Sequence, residues 1–248
     1  MTEGRSRFHF QLSLLLEERR QMMADYSRQV DIIPPDMLVF PLTIIGVGHI
    51  GSNAAHELAS IGCPDLIFYD DERVEEANIP AGFFKDSDAG KLGKDGTFKV
   101  EAVREAIRLF SPDCKIQTFN EEFSGQRLLE GVVVSGVDSM DARRAIWRCI
   151  RSNAVFIPLY IDGRTGGEII QIYTVRPSCQ EDIEWYEMSL EHEGAPLPCG
   201  AKSIGYAARI AAGLIASQFK KWLKQEEYFT TLTFNVGENI WVREGKIN

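Results

Sequence analysis

The residues of this chain with the clearest chemical meaning form a glycine-rich turn. Residues 42–52 read LTIIGVGHIGS, so an apolar run ends in Gly46, Gly48 and Gly51. Gly46 permits a tight turn after a strand, Gly48 lets the backbone approach an anion, and Gly51 lets the next helix pack closely. The first N–H groups of that helix then face the anion. The pattern predicts a nucleotide phosphate site, but it does not distinguish NAD, FAD, a methyl donor and ATP.

Charged residues further along the chain narrow this chemistry. Asp70 ends the next apolar run, where a carboxylate accepts hydrogen bonds from ribose hydroxyls of either NAD or ATP. Lys99 begins a predicted helix and supplies a mobile cation for a phosphate that is being transferred. Asp138 follows an apolar strand, where a carboxylate can hold the magnesium ion that bridges ATP phosphates. Asp141 could share that role, although both Asp138 and Asp141 could instead cap the next helix.

Strands and helices that would position these residues alternate along the chain. Apolar periodicity predicts strands at 65–71, 114–119, 132–137 and 156–163, and helices at 8–28, 53–62, 99–110 and 141–153. Further strands at 168–175, 229–236 and 239–243 surround a predicted helix at 203–223. The alternation predicts an α/β fold with a Rossmann-like, mostly parallel sheet and helices on both faces. The later strands predict an antiparallel C-terminal extension of that sheet.

Composition limits the class of protein. The 248 residues, 44% of them hydrophobic, are enough for one sizeable α/β domain. A formal net charge of −9 argues against a general nucleic-acid surface, which needs a basic face. Five scattered cysteines without a Cys-x-x-Cys pair suggest neither a disulfide framework nor a zinc site. With no signal peptide and no membrane-length apolar segment, the expectation is a cytoplasmic protein.

Three motifs follow the glycine turn in a specific order. They are an acidic segment from Asp70 through Val74 to Asn78, a Lys-Val-Glu-Ala helix start at 99–102 that leads to Pro112, and an Asp-Ser-Met-Asp-Ala-Arg segment at 138–143. Together they resemble the ThiF/MoeB/HesA family, the ATP-dependent adenylyltransferases related to ubiquitin-activating enzymes. The resemblance covers roughly residues 26–223, and four ordered motifs are far more specific than one glycine turn.

This resemblance implies an activity and a set of site residues. The C-terminal glycine of a small ubiquitin-like or sulfur-carrier protein would attack the α-phosphate of ATP and become an acyl adenylate, with Mg²⁺ as cofactor. Lys99 and Asp138 would be catalytic, and Asp138 would also hold the magnesium. The implied nucleotide-binding residues are Gly46, Gly48, Gly51, Ser52, Asp70, Asn78, Lys99 and Asp138.

Two further catalytic residues are implied by the same resemblance. Arg28 lies in a segment like the one from which family dimers send an arginine into the neighbouring subunit, so a homodimer is expected. Taken alone, Arg28 would more often be an exposed ion-paired group. Cys199 stands at the family's cysteine position before a long helix and could receive the acyl group, with a conjugating enzyme as a possible further partner. A buried, inert thiol is the equally weighted alternative for Cys199.

The resemblance also implies a domain plan, from which the chain departs in detail. A single adenylation domain over 1–248 would contain a dimer segment at 1–37, a nucleotide-binding half at 38–163 and a carrier-binding half at 164–248. Residues 79–82 read Ile-Pro-Ala-Gly where the family has Leu-x-Arg-Gln, so an arginine expected near the phosphates is absent. The candidate replacement cations are Lys91, Lys94, Arg143 and Arg144. The zinc-binding cysteine pairs of many relatives are missing too, so no structural zinc is expected.

Two other function classes remain open at this stage. A Rossmann-type NAD oxidoreductase would share the glycine turn and Asp70, but the sequence offers no obvious catalytic His or Tyr-Lys pair. A catalytically weak partner protein that binds a ubiquitin-like fold would explain the missing arginine.

Overall fold

The computed structural model describes residues 25–90, 95–191 and 204–247. The strands are β1 (Leu42–Ile45), β2 (Asp65–Tyr69), β3 (Lys115–Phe119), β4 (Val132–Ser135), β5 (Leu159–Gly166), β6 (Ile169–Val175), β7 (Tyr228–Asn235) and β8 (Ile240–Ile247). The α-helices are α1 (His49–Ser60), α2 (Lys99–Arg108), α3 (Met140–Ser152), α4 (Gln180–Glu191) and α5 (Gly205–Leu223). Short 3₁₀-helices occupy Pro35–Met37, Glu76–Asn78 and Asp86–Asp88. Most of the helix predicted at 8–28 lies outside the described residues, and residues 27–32 form turns.

The eight strands form one sheet in the order β3-β2-β1-β4-β5-β6-β7-β8. The first five run parallel, and β6, β7 and β8 add to them antiparallel. The register pairs Ile45 with both Tyr69 and Ser135, so the carboxyl ends of β1, β2 and β4 coincide. The glycine turn, the acidic segment and the loop with Asp138 therefore start at one edge. The strand order reverses between β1 and β4, which is where open α/β sheets bind ligands.

Helices cover both faces of the parallel part of the sheet. Alternate strand residues point to opposite faces, and Ile44 belongs to one buried cluster whereas its neighbour Ile45 belongs to another. The first cluster includes apolar side chains of α1, α2 and α5, and the second includes those of α3 and α4. The predicted Rossmann-like sheet with an antiparallel C-terminal extension is confirmed.

Several element boundaries differ from the prediction for physical reasons. Helix α1 begins at His49 rather than 53, because Ser52 N–H already donates to the Gly48 carbonyl at 3.0 Å. Strand β5 begins after Pro158, which has no N–H for the ladder. The sequence analysis assigned no element to α4, which buries Ile183 and Tyr186. Within the described ranges, no helix is long and apolar enough to cross a membrane.

Candidate functional site

The glycine turn has the geometry that its sequence predicts. Gly46 adopts φ +79°, and a Cβ there would lie 2.8 Å from Val137 Cγ1 and 2.9 Å from Val137 N. A Cβ on Gly51 would lie 1.9 Å from the Gly46 carbonyl oxygen, so α1 packs directly on the turn. A Cβ on Gly48 would meet nothing within 4 Å. The backbone at Gly48 is thus open to an approaching group, whereas Gly46 and Gly51 are required by packing.

Gly136 is a fourth glycine of this arrangement that the sequence analysis did not identify. A Cβ at Gly136 would come within 2.9 Å of the Gly51 nitrogen, and the Gly136 N–H donates to the Ile45 carbonyl at 2.9 Å. The end of β4 therefore packs against the first turn of α1. Its position in the sequence could have indicated this role, because Gly136 directly follows an apolar strand, as Gly46 does.

The Asp70 carboxylate joins β2 to the glycine turn. Its Oδ2 accepts a hydrogen bond of 2.7 Å from Val47 N–H, and its Oδ1 accepts one of 3.0 Å from Glu72 N–H. Burial raises the pKa of Asp70, although the nearby Lys99 ammonium and the two backbone donors oppose that shift. Each carboxylate oxygen retains acceptor capacity. Asp70 can therefore accept further hydrogen bonds, as a ribose-binding carboxylate must.

Lys99 lies beside this carboxylate at the start of α2. Its side chain is only 7% exposed, and its ammonium pairs with the Glu72 carboxylate, which is 68% exposed. The Lys99 N–H also donates to the Glu72 carbonyl at 3.0 Å. A buried cation with one solvent-exposed partner can exchange that partner for an incoming phosphate.

Asp138 is exposed on the loop that follows β4. The N-cap of α3 is Ser139, whose Oγ accepts a hydrogen bond from Ala142 N–H at 3.1 Å. The capping alternative for Asp138 and Asp141 is therefore wrong. Asp141 pairs instead with Arg144 at 3.0 Å, which leaves Asp138 as the carboxylate that follows β4 on this edge.

Charged groups from three elements act on the pKa of His49. His49 is the first residue of α1. Burial and the Lys99 charge lower the pKa of His49, while Asp138 and Glu72 oppose that shift. The starts of α1 and α2 and the loop after β4 thus bring a histidine, a lysine and an aspartate close enough to influence one another.

The segment after Glu72 is fastened to α1 by polar side chains. Ser52 is fully buried, and its hydroxyl accepts a hydrogen bond of 2.9 Å from Phe83 N–H. Asn53, which the sequence analysis did not single out, donates to the Ala81 carbonyl at 2.8 Å. Asn78 caps its own 3₁₀-helix, because its Oδ1 accepts from Glu75 N–H at 2.9 Å. These contacts fix the backbone beside the glycine turn.

Arg143 and Arg144, two of the candidate replacements for the missing phosphate-binding arginine, both bind protein partners in this structure. Arg143 is 7% exposed and lies beneath the site, where its Nε donates to Asp162 Oδ1 at 3.3 Å and its Nη2 donates to the Val137 carbonyl. Arg144 binds Asp141 and the Leu190 carbonyl. The other two candidates, Lys91 and Lys94, lie outside the described residues.

Asp162 organises a buried network that the sequence analysis did not predict. Its fully buried carboxylate accepts hydrogen bonds from Ser135 at 2.6 Å, Arg164 at 2.7 Å and Tyr186 at 3.0 Å, in addition to Arg143. Buried charges persist only with such partners. Since Arg143 also holds the Val137 carbonyl, the network supports the residue directly before Asp138.

Arg28 lies far from the glycine turn of its own chain. It is exposed, and its neighbour Gln29 donates to the Ile61 carbonyl at 2.7 Å, just past the carboxyl end of α1. The glycine turn is at the other end of this 12-residue helix, which is about 18 Å long. Arg28 can serve a site of this kind only in another copy of the chain.

Three of the four cysteines in the described part of the chain are shielded from solvent. Cys63, Cys114 and Cys149 are buried, and Cys179 is half-buried. Burial raises the pKa of the Cys114 thiol to about 12. Cys199, the predicted acyl acceptor, lies outside the described residues, as does the rest of 192–203. Among the residues that the structure describes, no three His, Cys, Asp or Glu side chains are grouped as a metal site.

Fold and site together define a Rossmann-like α/β protein whose glycine turn opens at the switch point of the sheet beside Asp70, Lys99 and Asp138. The chain belongs to the ThiF family, whose model matches residues 38–244. It is 29% identical over 238 residues to ubiquitin-like modifier-activating enzyme 5 of Drosophila mojavensis, covering 85% of this chain and 55% of that protein. It is 26% identical over 257 residues to the Gallus gallus enzyme of the same name, covering 91% and 58%. The chain thus spans little more than half the length of these curated relatives.

Solved structures share the fold. A crystal structure of E. coli MccB with AMPCPP and MccA superposes with a TM-score of 0.64 at 17% identity, covering 85% of this chain and 65% of that one. A crystal structure of PaaA superposes with a TM-score of 0.66 at 16% identity, covering 94% and 80%.

Proposed function

We propose that this chain is an ATP-dependent adenylyltransferase that activates the C-terminal carboxylate of a small ubiquitin-like or sulfur-carrier protein. The observation that carries the proposal is how Lys99 and Asp138 connect to the glycine turn. Lys99 is linked to it through Glu72 and Asp70, and Asp138 follows Val137, which packs on Gly46. An NAD site needs the glycine turn and Asp70 alone. A buried lysine and an exposed aspartate next to them suit the phosphates of ATP and a magnesium ion.

Adenylation requires positioning and charge stabilisation rather than a side-chain base. A carboxylate oxygen of the carrier forms a bond to the α-phosphorus, the bond from that phosphorus to the bridging oxygen breaks, and pyrophosphate leaves with the electron pair. Asp70 would hold the ribose, and the α1 N–H groups would face the phosphates. Lys99 would move from Glu72 to the charge that develops during the transfer.

Asp138 suits magnesium better than a metal held by protein alone. Mg²⁺ commonly takes one or two carboxylates and completes its shell with substrate phosphates and water. A single exposed carboxylate beside the turn fits that pattern. When bound, the ion would neutralise charge on the phosphates.

Ser52, Asn53 and Asn78 would support the nucleotide indirectly in this proposal. The first two hold the 79–83 backbone against α1, and Asn78 shapes the 3₁₀-helix at its start. The half at 164–248 would bind the carrier. Its edge strand β8 supports this role, because Trp241 stacks on Phe234 at 4.0 Å and is still 47% exposed.

We include a homodimer in the proposal because Arg28 cannot reach the site of its own chain. An arginine from the neighbouring copy would stabilise charge on the transferring phosphate. Mixing Arg28→Ala and Lys99→Ala chains provides a test. Each variant alone should be inactive, whereas mixed dimers should regain one intact site. Absence of recovery in verified mixed dimers would exclude the trans arginine.

Exchange of labelled pyrophosphate into ATP tests the function itself. The carboxylate probes are a recombinant small ubiquitin-fold protein that ends in glycine and a short peptide with a free C-terminus. Exchange should depend on one of these probes, and Lys99→Ala and Asp138→Asn should each lower it about 100-fold or more. Matched controls lie at the opposite ends of strands: Lys115→Ala at the start of β3 and Glu130→Gln just before β4. Equal losses in the controls, or exchange unaffected by Lys99→Ala and Asp138→Asn, would contradict the assignment.

A further inference from the structure

His49 occupies an unusual position in the glycine turn. It is the first residue of α1, between Gly48 and Gly51. Its carbonyl oxygen accepts hydrogen bonds from Asn53 Nδ2 at 2.7 Å and from Ser52 Oγ at 3.5 Å. These two bonds anchor the backbone from which the imidazole projects.

One nitrogen of the imidazole lacks a hydrogen-bond partner. Its Nε2 is buried and has no hydrogen-bond partner within the described part of the chain. The described residues contain one other buried side-chain atom without a hydrogen-bond partner, Asp65 Oδ1. It lies at the start of β2, on the edge of the sheet opposite to the glycine turn. A buried polar atom without a partner is destabilising, so a native structure retains one where another group satisfies it.

Charged groups around His49 come from three separate segments of the candidate site. Lys99 lies at the start of α2, Glu72 follows β2, and Asp138 follows β4, and all three influence the imidazole electrostatically. Lys99 and Glu72 already bind each other. Because Nε2 is shielded from solvent in the ligand-free protein, the imidazole must change rotamer to present it to an anion seated between the glycine turn and Lys99.

We propose that His49 Nε2–H donates a hydrogen bond to a phosphate oxygen of the bound nucleotide. The inference rests on the proposed function, and it adds a side-chain donor to a turn that otherwise offers backbone N–H groups. An N–H at Nε2 is available in the neutral ring when that nitrogen carries the proton. The same atom would thus stay unpaired in the free protein and become paired in the complex.

Substitutions separate this role from a structural one. His49→Leu removes the donor, whereas His49→Gln retains an N–H at the end of a side chain of similar reach. His56→Gln is the matched control, because His56 lies two turns further along α1. Binding of Mg·ATP without carrier is measured by calorimetry, and unfolding of the ligand-free proteins is measured by denaturant.

His49→Leu should weaken Mg·ATP binding about tenfold, while His49→Gln should stay within about threefold of the original chain. The free energy of unfolding of ligand-free His49→Leu should not fall, because an unpaired polar atom has been removed. The ¹⁵N shift of Nε2, assigned by comparison with His49→Gln, should move on adding Mg·ATP. Unchanged Mg·ATP binding in His49→Leu, with binding weakened in Lys99→Ala, would overturn this inference alone. Failure of the original chain to bind Mg·ATP would overturn it together with the proposed function.

Discussion

The Asp70 carboxylate accepts a hydrogen bond of 2.7 Å from the backbone N–H of Val47. Because Val47 lies between Gly46 and Gly48, the residue predicted to bind ribose also positions the turn predicted to bind phosphate. The predicted ribose-binding residue and the predicted phosphate-binding turn are thus hydrogen-bonded to each other in the ligand-free protein.

Asp70→Asn should damage both stability and nucleotide binding. The two carboxylate oxygens each face a backbone donor, and an amide would turn its NH₂ group towards one of them. The expected loss is about 1–3 kcal/mol in the free energy of unfolding, together with weaker Mg·ATP binding. Denaturant titration and calorimetry measure the two effects. Normal stability with weak ATP binding would contradict the positional role of Asp70 and leave only its contact with ribose.

Glu72→Gln should strengthen Mg·ATP binding. The Glu72 carboxylate holds the Lys99 ammonium in the ligand-free protein and so competes with phosphate for it. Because this pair is half in solvent, the expected gain is about two- to fivefold in affinity. Glu76→Gln, on the neighbouring 3₁₀-helix, is the control and should change nothing. Weaker binding in Glu72→Gln would mean that Glu72 contacts the nucleotide itself.

Gly51→Ala and Gly213→Ala should have opposite effects. A Cβ at Gly51 would collide with the Gly46 carbonyl oxygen at 1.9 Å, whereas one at Gly213 in α5 would meet nothing within 4 Å. Gly51→Ala should lower the free energy of unfolding by about 1–3 kcal/mol, and Gly213→Ala should raise it by about 0.5–1 kcal/mol. Thermal and denaturant unfolding test both. A neutral Gly51→Ala would show that α1 does not pack on the turn as described.

Asp162→Ala should be among the most destabilising single changes in the sheet. It would leave the buried guanidinium group of Arg143 and the largely buried one of Arg164 without their shared carboxylate, at a cost of about 3–5 kcal/mol. Asp162→Asn keeps the volume and should be milder. Asp141→Asn, which breaks an exposed pair with Arg144, is the control and should cost no more than about 1 kcal/mol. Similar losses in the exposed and buried variants would contradict the described network.

Local signals predicted much of this architecture, and long-range contacts account for what they missed. The three glycines, Asp70 and the alternating strands follow from short-range geometry, which a single sequence carries. Arg143 was one of four candidate replacements for the missing phosphate-binding arginine, but it turns inward because Asp162, 19 residues away, is buried on the next strand. Ser52 turns inward likewise, towards Phe83. Residue type and spacing do not encode such partners.

Transfer of oxygen from the carrier to AMP tests the central claim most directly. A carboxylate probe that supports exchange is labelled with ¹⁸O at its C-terminus and incubated with Mg·ATP, and hydroxylamine is added to release the acyl group. Attack of the carboxylate on the α-phosphorus predicts one ¹⁸O atom in AMP, seen by mass spectrometry, and none in the pyrophosphate. Label in inorganic phosphate together with ADP, or a carrier that binds without labelling AMP, would contradict adenylation by this chain.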